Sequence, residues 1–149
     1  MRAVVQRVKE ASVKVNGQET GRINAGLLVF IGVKETDDEK DIEWICSKVA
    51  GLRIFDDPEG KMNLSVTDTG GAVLLVSQFT LLGDARKGRR PSYKEAANPE
   101  KARVYYKKCG AQLEDYGIRV DWGRFQEHMK VSLINDGPVT ILLDSEKKF

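Results

Sequence analysis

Val131-Ser132-Leu133-Ile134-Asn135-Asp136-Gly137-Pro138-Val139-Thr140-Ile141-Leu142-Leu143-Asp144 is the stretch on which the reading of this chain turns. Two apolar runs rich in β-branched residues flank Asn135-Asp136-Gly137-Pro138, and both read as strands. Asp136-Gly137 alone suits a tight primed turn. Pro138 then locks φ, removes a ladder donor and pushes Gly137 out of the helical region. A Gly-Pro bond is also a candidate cis peptide. Either this is an ordinary turn, or it is a rigid loop whose bare main-chain groups face a ligand. The rest of the chain has to decide.

Working outward from that stretch, Met129, Val131 and Leu133 lead into it, and Ile118 to Trp122 alternates as a strand. Before that, Asn98-Pro99 supplies an N-cap and a proline at the first helical position. Ala102, Tyr105, Tyr106, Cys109 and Leu113 share one face of the helix that follows, and Gly117 stops it. Ala72 to Leu82 is the longest apolar run and reads as the central strand; Gly83 to Pro91 follows as a basic loop. Met62 to Val66 reads as an edge strand after the turn Asp57-Pro58-Glu59-Gly60, and Leu52 to Phe55 as a short strand before it. Thr36-Asp37-Asp38-Glu39 has the form of a capping box, with Ile42, Ile45, Cys46 and Val49 at helical spacing up to Gly51. Leu27 to Val33 suits a strand buried on both faces. Ser12 to Val15 alternates into an Asn16-Gly17 hairpin turn, and Ala3 to Val8 opens the chain as a strand. The expectation is one α/β domain over residues 1–149, with about eight strands in mixed and antiparallel sheets and two long helices packed on one outer face.

Composition bounds the function. At 149 residues, 41% apolar and 31% charged, the chain is that of a globular protein able to bury a core. A net charge of +2 does not by itself indicate a nucleic-acid partner; where the charge clusters matters more. Cys46 and Cys109 both fall on helical patterns without metal-ligand spacing, as small buried residues in a reducing compartment do. Charges at Arg2, Arg7, Lys9 and Glu10 leave no signal-peptide region, and no apolar run approaches a membrane span. A cytoplasmic protein with no membrane association is expected.

The single histidine, His128, sits among Gln126, Glu127 and Lys130, where a solvated surface position is expected and neither a triad nor a metal site forms. No Gly-rich phosphate motif is present. An enzyme built on this chain works with hydroxyls, amides and main-chain groups. Ser77, Gln78 and Thr80 interrupt the longest apolar strand. In a regular strand Gln78 and Thr80 share one face, with Ser77 and Phe79 on the other. Either these are polar groups meeting solvent at a strand end, or they floor a pocket in which amides near Phe79 polarise a carbonyl. Arg86, Lys87, Arg89 and Arg90 place four cations in five positions beside Gly88 and Pro91, which is either a solvated face or a phosphate contact.

Ser77-Gln78-Phe79-Thr80-Leu81 and Asn135-Asp136-Gly137-Pro138-Val139-Thr140 together resemble the two signature motifs of D-aminoacyl-tRNA deacylases, the D-tyrosyl-tRNA deacylase type. Gln6-Arg7-Val8, Gly60-Lys61-Met62-Asn63 and Lys87-Gly88 through Arg90-Pro91-Ser92 are similar to that family too, so the resemblance spans the chain. It implies a homodimer without metal or organic cofactor that hydrolyses the ester joining a D-amino acid to the terminal adenosine of tRNA, and also glycine wrongly attached to alanine tRNA. It implies a catalytic segment Ser77, Gln78, Phe79 and Thr80. Asn135, Gly137, Pro138, Val139, Met129 and Arg7 are implied for substrate binding and chiral selection, with a cis Gly137-Pro138 reaching into the partner's pocket and the substrate's 2′-hydroxyl assisting the attack. Arg86, Lys87, Arg89 and Arg90 then meet tRNA phosphates. An activated ester needs a positioned water and an oxyanion site, which suits a chain without a triad.

Two rivals stand beside this reading. A non-catalytic RNA-binding module would use the basic loop and keep Ser77–Thr80 as core. A small-molecule hydrolase would turn over free esters and be indifferent to loss of Arg86, Lys87, Arg89 and Arg90.

Overall fold

The computed structural model describes residues 1–149. Its elements in order are β1 (Arg2–Val15), β2 (Gln18–Ile23), β3 (Gly26–Gly32), α1 (Glu39–Gly51), β4 (Phe55–Asp56), β5 (Met62–Leu64), α2 (Val66–Thr69), β6 (Ala72–Ser77), a 3₁₀ turn (Phe79–Leu82), α3 (Pro99–Asp115), β7 (Arg119–Trp122) and β8 (Lys130–Asp144). The long strand β1 organises the sheet. Its first half pairs antiparallel with β3 and its second half with β2, while β8 runs antiparallel along its other edge. β3, β6 and β7 continue in parallel. β2 swings round to meet β7, where the Arg22 amide donates to Asp121 Oδ2 at 2.9 Å and Arg119 Nη2 donates to the Arg22 carbonyl at 3.2 Å. The sheet is therefore a nearly closed barrel, and β4–β5 form a separate small ribbon.

Strand alternation divides the apolar residues between two cores. Leu27, Val29, Ile31, Val73 and Leu75 face α1 and α3, where Ile45, Val49, Cys109 and Leu113 complete a buried apolar layer. Leu28, Leu74 and Val76 point the other way, against Val8, Ala11, Val13 and Ile23, with Met129, Val131 and Leu133 packed on them. β1 contributes to both. Ala3 and Val5 lie on the helix side, yet Val8, Ala11 and Val13 all lie on the other. Their odd spacing is possible because Val8 pairs with Asn135 and Glu10 with Ile134, a one-residue bulge at Lys9 that reverses the alternation. Both long helices lie on one face of the sheet, as expected, and both cysteines are buried between them. The Asn16-Gly17 turn has positive φ at both residues (50° and 77°), the geometry of a primed hairpin turn.

Local expectations fail where side chains are already engaged. The N-cap of α1 is Asp38, and its capping box closes with Asp41, not between Thr36 and Glu39. Asp37 cannot cap because its carboxylate is buried, accepting from the Lys34 amide at 2.6 Å and from the Met1 ammonium at 2.5 Å. Leu52 ends α1, so the strand expected over Leu52 to Phe55 shrinks to Phe55–Asp56. The edge strand at Met62 stops at Leu64 because Ser65 caps α2, exchanging hydrogen bonds with Asp68. The expected central strand over Ala72 to Leu82 ends at Ser77, and its last four residues wind into the 3₁₀ turn. β7 ends before this point, so beyond Ser77 the chain is free of the parallel ladder that holds Val73 and Leu75 extended.

Candidate active site

The end of β6 positions the first group. Ser77 pairs with Ile31 of β3, and the Gln78 amide donates to the Ile31 carbonyl at 2.7 Å. The backbone then turns into the 3₁₀ segment at Phe79. Gln78 and Thr80 therefore do not share a strand face as a regular strand would require. They meet all the same, Gln78 Nε2 donating to Thr80 Oγ1 across the turn. The first turn of any helix leaves N–H groups without intrahelical acceptors, which here are those at Phe79 and Thr80. Phe79 is 55% exposed and its ring meets Tyr93 edge-on at 5.1 Å.

Ser77, Gln78 and Phe79 line a cleft of about 610 Å³. Its other walls come from Ala97, Pro99 and Ala102 at the start of α3, and from Phe125 to Met129 between β7 and β8. The volume lies in the range of small-ligand sites. Met129 is a wall of the cleft, whereas Thr80 stands outside it, exposed and attached through Gln78. His128 is exposed, and it also lies on the cleft wall. The sequence reading missed Phe125, Gln126 and Glu127. They lie in an irregular segment with no periodicity to mark them.

The second group lies elsewhere on the sheet. Asn135-Asp136-Gly137-Pro138 is not a hairpin turn, because both flanking runs pair with β1 in the same antiparallel sense. Gln6 pairs with Thr140 and Val8 with Asn135, so residues 136–139 stand opposite Arg7 alone and bulge from a continuous β8. The Gly137-Pro138 peptide is cis, and Gly137 has φ 151°, a conformation few residues other than glycine adopt. The Asn135 side chain staples the bulge, its Nδ2 donating to the Val139 carbonyl at 3.1 Å and its Oδ1 accepting from the Val139 amide at 2.7 Å. Arg7, 8% exposed, holds it from beneath: Nε donates to the Asp136 carbonyl at 2.7 Å and Nη1 to the Ile54 carbonyl at 2.8 Å. Arg7 is thus buried against the loop's main chain, and Gly137 and Pro138 are left exposed. None of Arg7, Asn135, Gly137, Pro138 and Val139 lines the cleft.

The basic residues form a third group. Asp84 and Ser92 exchange main-chain hydrogen bonds at 2.8 and 2.9 Å, which closes the loop between them. Arg86 is bound within it, donating from Nε and Nη2 to both Asp84 oxygens at 2.8 and 2.7 Å. These bonds hold the Asp84 carboxyl well below the usual carboxylate range. Lys87, Arg89 and Arg90 are exposed and make no ion pair. No three His, Cys, Asp or Glu side chains converge where they could hold a metal ion.

The family model described as D-Tyr-tRNA(Tyr) deacylase matches residues 4–144. The chain belongs to that family. It is 57% identical over 149 residues to the D-aminoacyl-tRNA deacylase of Desulfitobacterium hafniense (strain DSM 10664 / DCB-2) and 58% identical over 149 residues to that of Thermotoga petrophila, with 100% of each chain covered. Among solved structures, it superposes with a TM-score of 0.91 on one titled "c-Myc DNA Unwinding Element Binding Protein", at 39% identity over 97% of this chain and 98% of the other. A probable eukaryotic D-amino acid tRNA deacylase shares the fold with a TM-score of 0.80 at 17% identity, covering 95% of this chain and 97% of that one.

Proposed function

We propose that this chain hydrolyses the ester bond of D-aminoacyl-tRNA, releasing free tRNA and the D-amino acid. The observation that carries the reading is the end of β6: Ser77-Gln78-Phe79 opens onto the cleft of about 610 Å³ at a turn whose first amides lack helical acceptors. An ester carbonyl seated there would be polarised by main-chain donors while a water attacks, and no side-chain nucleophile is required. Thr80 orients Gln78, and Met129 bounds the space beside the ester. The residues act as one unit over 1–149 in the cytoplasm, and glycine carried on alanine tRNA is a second substrate, because a ligand without a side chain evades exclusion on either side of its α-carbon.

Chiral selection comes from the Gly137-Pro138 loop, supplied by a second copy. The loop is exposed and lies outside its own subunit's cleft, while β8 has only β1 as a partner and carries the exposed apolar side chains Ile134 and Leu142. An unpaired edge of that length invites association. Lys87, Arg89 and Arg90 have charge to spare for tRNA phosphates, with Arg86 held in reserve by Asp84. The deciding experiment is incubation with matched D- and L-aminoacyl-tRNA, following ester loss. Loss of the D-ester alone is expected; equal hydrolysis of both, or of neither, overturns the reading.

A further inference from the structure

Beyond the cleft, on the far side of Phe125, lies a second groove of about 560 Å³ between α3 and the chain leaving β7. Trp122 and Phe125 form its aromatic floor, and Arg103, Lys107 and Arg124 rim it. The cations of α3 divide sharply in use. Lys101 and Lys108 hold the helix to the body, Lys101 through the Glu35 carbonyl and Lys108 through the Glu39 carboxylate. Arg103 and Lys107, one helical turn apart, are exposed and make no ion pair, and neither does Arg124. Glu114 and Glu127 are the groove's carboxylates, and both stand beyond ion-pair distance of all three cations. Arg103 nonetheless has partners: its guanidinium lies 5.1 Å from the Phe125 ring centre, and Nη2 donates to Gln126 Oε1 at 3.1 Å. The floor is braced behind, with the Tyr106 ring edge-on to Trp122 at 5.2 Å and its hydroxyl donating to the Leu75 carbonyl at 2.7 Å.

Three unpaired cations line this groove with two aromatic rings, and one of the cations, Arg103, lies over a ring. That combination suits a single-stranded polynucleotide, whose phosphates want the cations and whose bases stack on rings. Phe125 and Glu127 line both cavities, so the groove adjoins the cleft and the two share a wall. We propose that this groove binds the nucleotides that precede the terminal adenosine of the tRNA, with Arg103, Lys107 and Arg124 on their phosphates and Trp122 beneath their bases. The inference rests on the assignment of the cleft to the aminoacylated adenosine. It makes the groove a binding extension without a role in ester chemistry.

The test compares wild type with the triple variant R103A/K107A/R124A on two substrates: D-aminoacyl-tRNA, and the D-aminoacyl ester of adenosine, which carries no phosphate. On tRNA the variant is expected to show KM raised about tenfold or more at low salt with kcat retained. The log–log salt dependence should be shallower by about 2, from about 0.7 per lost single-strand contact. On the adenosine ester, where only the brace that Arg103 gives Phe125 and Gln126 is lost, the variant should lose far less than on tRNA, and K107A/R124A, which leaves that brace intact, should match wild type. A control with K9A/K14A/K61A, which removes equal charge outside the groove, should keep the wild-type slope. Unchanged tRNA kinetics and slope overturn the proposal. So does an equal loss on both substrates, because the groove would then only support the cleft. Should wild type cleave neither substrate, the deacylase reading fails instead, and the salt slope for binding deacylated tRNA decides the groove: a flattened slope in the triple variant supports it, and an unchanged one rejects it.

Discussion

Arg7 and Asp136 are joined by a hydrogen bond from a nearly buried guanidinium to a main-chain carbonyl, 2.7 Å from Nε to O, at the point where β8 leaves its ladder. The same fork reaches the Ile54 carbonyl at 2.8 Å and Asp56 Oδ1 at 3.4 Å, so one side chain fastens the bulge to the β4–β5 ribbon. A lysine offers a point charge and cannot serve these acceptors together. Arg7→Lys is expected to cost about 1.5–3 kcal/mol of stability. It should also narrow the ratio of D- to L-ester hydrolysis, because the loop loses its support. Denaturant unfolding and matched-ester assays check both; an unchanged midpoint with unchanged discrimination would remove Arg7 from this role.

Gln78 and Thr80 are linked to each other and to no neighbouring base. Thr80→Val or Gln78→Ala should therefore lower kcat by about 10- to 100-fold, the scale of losing one positioned donor or less. A loss near 10⁶-fold, the scale of removing a triad nucleophile, would show one of them to be the nucleophile itself. Circular dichroism alongside the assay separates chemistry from misfolding.

The Asp84 clamp splits the basic loop into one bound and three free cations. Replacing Lys87, Arg89 and Arg90 together with alanine should flatten the salt dependence of tRNA affinity by up to about 2.7, at 0.9 or less per contact. Arg86→Ala alone should flatten it least. Binding titrations across a salt series measure this, and four equal contributions would contradict the clamp.

Gly110 faces Trp122 so closely that a Cβ would stand 1.8 Å from the indole. In an exposed helix interior Gly→Ala stabilises by about 1 kcal/mol. Here the sign should reverse, with Gly110→Ala destabilising by about 1–3 kcal/mol as α3 is forced off β7. Thermal unfolding of the variant reads the sign directly.

Much of this molecule is legible in short windows. The apolar spacing of α1 and α3, the Asn98-Pro99 start and the Asn16-Gly17 turn all act within a few residues, and the structure keeps them. The cleft was half legible: Ser77 and Gln78 stand out as polar residues ending an apolar run. Phe125 to Glu127 carry no pattern, because an irregular segment is placed by what it packs against and not by its own periodicity.

What the sequence alone determined is therefore the two long helices, most of the strands, the two motifs and the family they mark. What only tertiary structure decided is register. One bulge at Lys9 turns Ala11 and Val13 into a different core from Ala3 and Val5. Another, opposite Arg7, turns an apparent hairpin into an interrupted single strand. Strand pairing has a side-chain period of two, so inserting a residue reverses every face beyond it, and where the insertion falls depends on the partner strand. No local window of β8 contains β1. For the same reason Ser77-Gln78-Phe79-Thr80 could not reveal its 3₁₀ turn: its strand ends where the β6–β7 ladder has already run out.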